Sequence, residues 1–312
     1  MKKIAFIIPY FGEFNNYFEL FLKSCEYNHT IDFLIFTDNR KEYNYPKNVK
    51  VHYMNFQELK AKFQSKIDFR ISLERPYKLC DYRPAYGFFF EDYLKGYDFW
   101  GFCDTDLIFG NIRKFYTDEM LDRYDKIGIF GHASIIRNDK NINQIFRKTN
   151  RYVEVFSSSK NSSLNGGAFD EEFRNSINSL LIGNGYKVYK KEMQANIYTK
   201  SSDFRLTQYI LDTNEYVIEK KKKSVFVFDH GNLFRYNQET REKIEYLYIH
   251  MQARKMKLNI SNYDMFKIIP NVFEDVDLDN IANERTKHFN LHYFRLRTKN
   301  LFVKIGRRLG HE

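Results

Sequence analysis

Tyr97-Asp98-Phe99-Trp100-Gly101-Phe102-Cys103-Asp104-Thr105-Asp106 decides how the chain is read. An aromatic and apolar run of this kind is a buried strand, and it ends by delivering two carboxylates where the chain leaves the sheet. Open α/β sheets bind ligands in the crevice beyond the carboxyl ends of their strands. Hard oxygen ligands in that position suit Mg²⁺ or Mn²⁺ held against a diphosphate. The chemistry this points to is transfer from a nucleotide-activated donor. Taken alone, Asp-x-Asp also describes an ordinary acidic turn, and its place after a buried strand favours the metal.

Upstream, strands and helices alternate. Lys3-Ile4-Ala5-Phe6-Ile7-Ile8 is a β-rich run stopped by Pro9, and Glu13 to Tyr27 spaces Phe14, Phe18, Phe21, Leu22 and Cys25 at helical intervals. Ile31 to Phe36 is a second strand ending at Thr37-Asp38-Asn39. Val51-His52-Tyr53-Met54 is a third, after which Asn55 caps a helix carrying Phe56, Leu59 and Phe63. This alternation predicts an α/β fold with a mostly parallel sheet and right-handed crossovers. No Walker loop and no G-x-G-x-x-G follows the first strand, which argues against an NTPase or a dinucleotide enzyme.

Downstream, Asn111 caps a predicted helix through Met120 and Leu121, and Lys126 to Phe130 is a further strand. Ser157 to Gly167, rich in Ser, Asn and Gly, reads as a mobile loop beside the site. Lys220 to Lys223 reads as a solvated turn before the strand Ser224 to Phe228. Asp229-His230-Gly231-Asn232 is a turn or a border of the cleft. Asn271 to Glu284 is acidic and poorly periodic, an expected linker to residues 285–312.

Composition narrows the class. The chain has 312 residues, 43% of them hydrophobic with 31 Phe and 24 Tyr, ample for a large core. No apolar stretch is long enough to span a bilayer and no signal-peptide pattern opens the chain, so a cytosolic protein is expected. Cys25, Cys80 and Cys103 lack metal or disulfide spacing and read as reduced thiols. Eight of the basic residues (Arg285, Lys287, Arg295, Arg297, Lys299, Lys304, Arg307, Arg308) lie from Arg285 onward against one acid, Glu312. Most of the formal net charge of +10 therefore belongs to a tail, and a nucleic-acid partner, which would enrich the body of the fold as well, is not expected. Leu291, Phe294, Leu301, Ile305 and Leu309 fall on one helical face flanked by Arg297, Lys304, Arg307 and Arg308. Such a basic amphipathic helix suits an anionic membrane surface; the bland reading is a terminal helix packed on the domain.

Five blocks, in this order, carry a resemblance: Ile7-Ile8-Pro9-Tyr10-Phe11-Gly12; Lys78-Leu79-Cys80-Asp81-Tyr82-Arg83-Pro84-Ala85-Tyr86-Gly87; Trp100 to Asp106; Ala168-Phe169-Asp170-Glu171; and Tyr248-Ile249-His250-Met251-Gln252-Ala253-Arg254-Lys255-Met256. Through them the chain resembles the GT-A-fold glycosyltransferases of bacterial capsular and cell-surface polysaccharide gene clusters. The resemblance implies a GT-A, Rossmann-like domain over residues 1–270, with a donor half to about 130 and an acceptor half from 131. It further implies a UDP-sugar donor, glucose or galactose, a lipid-linked glycan acceptor, and a Mn²⁺ or Mg²⁺ cofactor at the cytoplasmic face of the membrane.

What the resemblance implies for individual residues is as follows. Pro9 and Tyr10 line the nucleoside pocket, with Asp38 accepting from uracil or ribose unless it merely closes an Asx turn. Lys78 and Asp81 reach toward ribose and diphosphate, although Lys78 is equally an ordinary surface charge. Asp104 and Thr105 contact the donor, Asp106 is the direct metal ligand beside Asp104, and His250 is the third ligand or a structural histidine. Asp170 and Glu171 face the acceptor, as base or as positioning acid, or else form the acidic first turn of a helix through Phe173 and Ile177. Arg83 is an assisting cation. A sugar-phosphate nucleotidyltransferase would use similar acids, but Pro9 to Phe14 holds one Gly and no basic residue. A non-catalytic carbohydrate-binding protein with structural acids is the remaining alternative.

Overall fold

β1, Ile4–Pro9, alternates Ala5 and Ile7 toward one apolar layer with Ile4, Phe6 and Ile8 toward another. A strand buried on both faces reads as an unbroken apolar run, the habit of parallel strands covered on both sides. This computed structural model describes residues 1–164, 167–198, 203–289, 291, 293–295, 297, 298, 301 and 302. Next to β1 lie β2, Ile31–Thr37, and then β3, Val49–Tyr53, all parallel. The chain then returns to the opposite side of β1 as β4, Phe99–Cys103, again parallel. The crossover direction therefore reverses between β1 and β4, and that reversal opens a crevice at their C-terminal ends.

After the short β5, Leu107–Phe109, the sheet is completed by β6, Lys126–Phe130, β7, Ala133–Arg137, and β8, Val188–Tyr189, in the order β3-β2-β1-β4-β7-β6-β8. β7 runs antiparallel to both neighbours. The architecture is thus α/β with a mostly parallel, mixed central sheet. The helix Phe18–Tyr27 covers one face; the helix Phe56–Gln64 and the 3-10 segment Pro76–Ala85 cover the other. Asn55 caps Phe56–Gln64 with a complete capping box to Glu58, worth about 1 kcal/mol.

Several boundaries differ from the sequence reading. The first helix begins at Phe18, not Glu13, because the Asn15 side chain accepts from the Tyr17 N–H and donates to the Thr105 carbonyl, which holds residues 12–17 as a loop. Asn111 caps only Ile112–Phe115, and Thr117 starts a separate helix, Asp118–Arg123. The segment through Phe173 is irregular, and the helix there starts after the Ser176 cap, at Ile177.

A second layer is built from short strands. β9, Ala195–Asn196, leads to the hairpin β10, Thr207–Ile210, and β11, Glu215–Ile218. β12, Ser224–Asp229, and β13, Asn232–Asn237, form a second hairpin, turned by His230 and Gly231 at positive φ, so the segment 229–232 is a turn. β14, Lys243–Glu245, is followed by β15, Tyr248–His250; β16, Lys257–Asn259, β17, Met265–Ile269, and β18, Val272–Glu274, complete a six-stranded sheet with β12 to β14. β15 pairs instead with β5 and β9.

The expected acidic linker is corrected by β18. Val272 and Phe273 are core residues, and the buried Glu274 pairs with Lys267, Arg285 and His288. Acids that find distant bases inside the fold look like a solvated linker in sequence. Beyond them, residues 291, 293–295, 297, 298, 301 and 302 are helical; Leu291, Phe294 and Leu301 are exposed whereas Tyr293 is buried. Lys299, Lys304, Ile305, Arg307, Arg308 and Leu309 lie outside the described residues, as do Asn165 and Gly166. Among the described residues no helix is long and apolar enough to cross a membrane.

Candidate active site

The crevice at the ends of β1 and β4 holds a cavity of about 890 Å³. Pro9, Tyr10, Asp104, Thr105, Asp106, Asp170, Glu171 and His250 all line it. Asp104 and Asp106 arrive from the turn between β4 and β5. His250 arrives much later in the chain because β15 pairs antiparallel with β5, placing His250 opposite Leu107. Its Nε2 lies 3.5 Å from Asp106 Oδ1 and 3.8 Å from Asp104 Oδ2. One ligand atom from each of the three fits within 4.8 Å of the others, the one such group of acids, histidines or cysteines among the described residues.

The chain after β15 fixes the second acid. Gln252 and Ala253 both adopt left-handed backbone, φ 57° and 50°, a conformation costing a non-glycine residue about 1 kcal/mol. This turn aims the Ala253 N–H at Asp106 Oδ2, while the Met251 N–H donates to the Asp106 carbonyl. Burial opposes ionisation of Asp106, but His250 and the Ala253 N–H outweigh it and hold its pKa below the ordinary carboxylate value. Burial likewise opposes a charged His250, and Asp106 with Asp104 holds its pKa above that of a free histidine. For Asp104 burial wins and raises the pKa, in spite of Arg83. Two carboxylates and an imidazole that already gather positive charge form a donor set that fits Mn²⁺ or Mg²⁺.

Arg83 joins this group to the acidic pair. Its Nη2 donates to Asp104 Oδ1, and its Nη1 donates to Asp170 Oδ2 at 3.0 Å and to the Gly131 carbonyl at 2.7 Å. Asp170 is buried, and that burial pushes its pKa up to about 7 against the pull of Arg83, with Glu171 adding like charge. Glu171 Oε2 accepts the Gly131 N–H at 2.9 Å. A side chain on residue 131 would collide with the pair, since its Cβ would stand 2.6 Å from Asp170 Oδ2.

Three of the expected donor contacts already have partners within the fold. Lys78 is a buried structural residue, its Nζ donating to Asp81 Oδ2 at 2.6 Å and to the carbonyls of Val155 and Lys160 at 2.9 and 2.6 Å. Its three N–H bonds are thereby committed, and it does not line the cavity. Asp81 does line it, but its oxygens accept from Lys78 and from the Ser162 N–H and hydroxyl, fastening Ser162 within the stretch Ser157 to Gly167 that the sequence suggested was a mobile loop. Asp38 is exposed outside the cavity wall and accepts the Gly12 N–H at 2.8 Å, shaping the loop after β1.

Other wall residues were not foreseen. Tyr77 and the β10–β11 hairpin residues Thr207, Tyr216 and Ile218 line the cavity. So does His132, buried between Phe130 (ring centroids 5.1 Å apart, planes 8° apart) and His250 (4.4 Å, 35°). Its Nδ1 lies 2.8 Å from the Tyr248 hydroxyl, and its carbonyl accepts the Asp104 N–H. Burial, with His250 and Arg83, pushes its pKa down. The available signal was Gly131-His132, a glycine and a polar residue directly after a buried strand.

Comparison with known proteins gives four findings. The fold is similar to that of the galactosyltransferase LgtC, solved in complex with donor and acceptor sugar analogues, at 14% identity over 62% of this chain and 75% of that one, TM-score 0.35. It is similar also to the apo form of the glycosyltransferase GlyE of Streptococcus pneumoniae TIGR4, at 12% identity over 62% of this chain and 46% of that one, TM-score 0.34. No curated protein matches by sequence. A family model matches residues 6–277, a span that includes both acids of the Asp-x-Asp turn, the acidic pair and His250, and the chain belongs to that family, a family of unknown function designated DUF6625.

Proposed function

We propose that this protein is a metal-dependent glycosyltransferase of GT-A type that moves a hexose from a UDP-sugar to a glycan acceptor. The observation that carries the reading is the convergence of Asp104, Asp106 and His250 at the crevice between β1 and β4, facing a cavity shared with Asp170 and Glu171. The cavity of about 890 Å³ lies within the range of roughly 300–1,000 Å³ usual for small-molecule sites. Asp104, Asp106 and His250 would hold a Mn²⁺ or Mg²⁺, which when bound would supply positive charge to neutralise a departing diphosphate. Tyr10 and Pro9 wall the part of the cavity next to β1, where the nucleoside is placed. Arg83 keeps the acidic pair at a fixed reach from the metal group. In an inverting reaction Asp170, with a pKa near neutrality, takes the proton of the acceptor hydroxyl; in a retaining one it orients that hydroxyl.

The acceptor is proposed to be a lipid-linked oligosaccharide of a capsular or cell-surface polysaccharide, met at the inner face of the membrane. Support for that finer reading comes from the tail, where Phe289, Leu291, Phe294, Leu301 and Phe302 are exposed beside basic residues. The test is a panel of UDP-sugars offered to the chelator-treated protein with and without Mn²⁺. Metal-dependent release of UDP from one of them, by hydrolysis or transfer, is the expected result. A panel with neither turnover nor binding refutes the proposal.

A further inference from the structure

We infer that His132 binds the donor, its Nε2–H donating to an oxygen of the sugar being transferred. The inference rests on the transferase reading above. Nε2 is buried and has no hydrogen-bond partner among the described residues. A buried polar atom without a partner costs free energy that a ligand atom recovers.

The other edge of the ring says which hydrogen-bonding role Nε2 plays. Nδ1 contacts the Tyr248 hydroxyl, a buried group with no other hydrogen-bond partner among the described residues. If that hydroxyl donates to Nδ1, the ring proton sits on Nε2. If the ring is protonated, Nε2 carries a proton as well. Only the remaining tautomer leaves a lone pair on Nε2, and it strands the hydroxyl proton of Tyr248 in the core. His132 therefore presents an N–H donor in either charge state. That N–H lies in the ring plane, so neither Phe130 nor His250, which pack on the ring faces, is its acceptor.

Position identifies the acceptor. His132 follows Gly131, which holds Glu171 and Arg83, and its own ring packs on His250. It thus stands between the metal group, where the diphosphate belongs, and the acidic pair, where the acceptor hydroxyl belongs. Between leaving group and nucleophile lies the transferred sugar.

The experiment compares calorimetric affinities for UDP and for UDP-glucose and UDP-galactose, all with Mn²⁺. His132→Phe keeps the stacked ring and removes the donor; it should weaken whichever UDP-sugar the parent binds by roughly tenfold while UDP changes by less than about twofold. His132→Gln, which restores an N–H near the place of Nε2, should recover most of the loss. Equal weakening of UDP and UDP-sugar would show that the ring merely supports His250, and no weakening at all would equally overturn the inference. Should His132→Phe lose its cooperative thermal transition, Tyr248→Phe is the second arm: freeing Nδ1 to take the proton should lower UDP-sugar affinity alone, and unchanged affinity refutes the tautomer argument. A parent that binds no UDP with Mn²⁺ removes the transferase reading itself, a result distinct from all of these.

Discussion

Lys126 opens β6 as a fully buried ammonium, which makes the stability of the protein depend on pH in a direction that can be calculated. Its Nζ donates to the Gly128 carbonyl and, at 3.1 Å, to Ser134 Oγ; no carboxylate forms an ion pair with it among the described residues. Burial lowers its pKa from 10.5 to about 7, with Asp170 pulling weakly the other way. Between those values the unfolded chain holds one proton more than the folded one, so folding becomes more favourable as pH rises from 7 toward 10.5. The slope approaches 1.36 kcal/mol per pH unit, or about 2–3 kcal/mol between roughly pH 7.5 and 9.5. Lys126→Met fills similar volume and does not titrate. Urea unfolding of both proteins at the two pH values isolates the effect, because the buried tyrosines and cysteines titrate alike in each. The parent should gain about 2–3 kcal/mol relative to the variant on going to the higher pH. Parallel stabilities across that range would mean that Lys126 stays charged in the fold, and the burial argument would be wrong.

The site makes three further predictions. Asp106→Asn keeps an acceptor for the Ala253 N–H, so the fold should survive while Mn²⁺ affinity by calorimetry falls by more than the roughly 10–100-fold typical of outer-sphere changes; affinity within twofold or so of the parent removes Asp106 from the metal. If Asp170 is the base, parent turnover should fall about tenfold per unit below pH 7, and Asp170→Asn should be slower by ~10²–10⁴-fold with that limb flattened; an unchanged limb in the variant assigns the proton transfer elsewhere. Truncation after Phe289, which spares the Arg285 and His288 contacts to Glu274, should abolish sedimentation with phosphatidylserine vesicles and leave turnover on a soluble acceptor intact; equal vesicle binding by both forms defeats the membrane role of the tail.

Much of the central sheet was legible because β1, β2 and β4 are buried on both faces, so each is a nearly continuous apolar run ending where a polar residue leaves the sheet. The Asn55 cap was legible for the same local reason: its partner Glu58 is three residues away. Of the second layer β12 was legible, an apolar run read as Ser224 to Phe228, whereas short strands of mixed burial such as β13, β14 and β16 carry too little periodicity. Lys78 and Asp81 show the same limit from the side of chemistry. A lysine and an aspartate three apart look like ligand-binding charges, and only tertiary structure reveals that both are spent on carbonyls and on Ser162. Asp104 and Asp106 could be named from their strand, whereas the arrival of His250 depends on the pairing of β15 with β5, a register that no local pattern encodes.

Arg83 gives the site a property that single substitutions cannot display. One guanidinium serves Asp104, beside Asp106 and His250, and Asp170, in the acidic pair, so removing either acid leaves the other as its one carboxylate partner at the site. Variants at these two positions should then be epistatic, the double mutant departing from the product of the singles. Selection acting on one acid is selection on both. A family whose members exchanged Asp170 for a neutral residue would be expected to change residue 83 along with it, and the two positions should vary as a unit across the lineage.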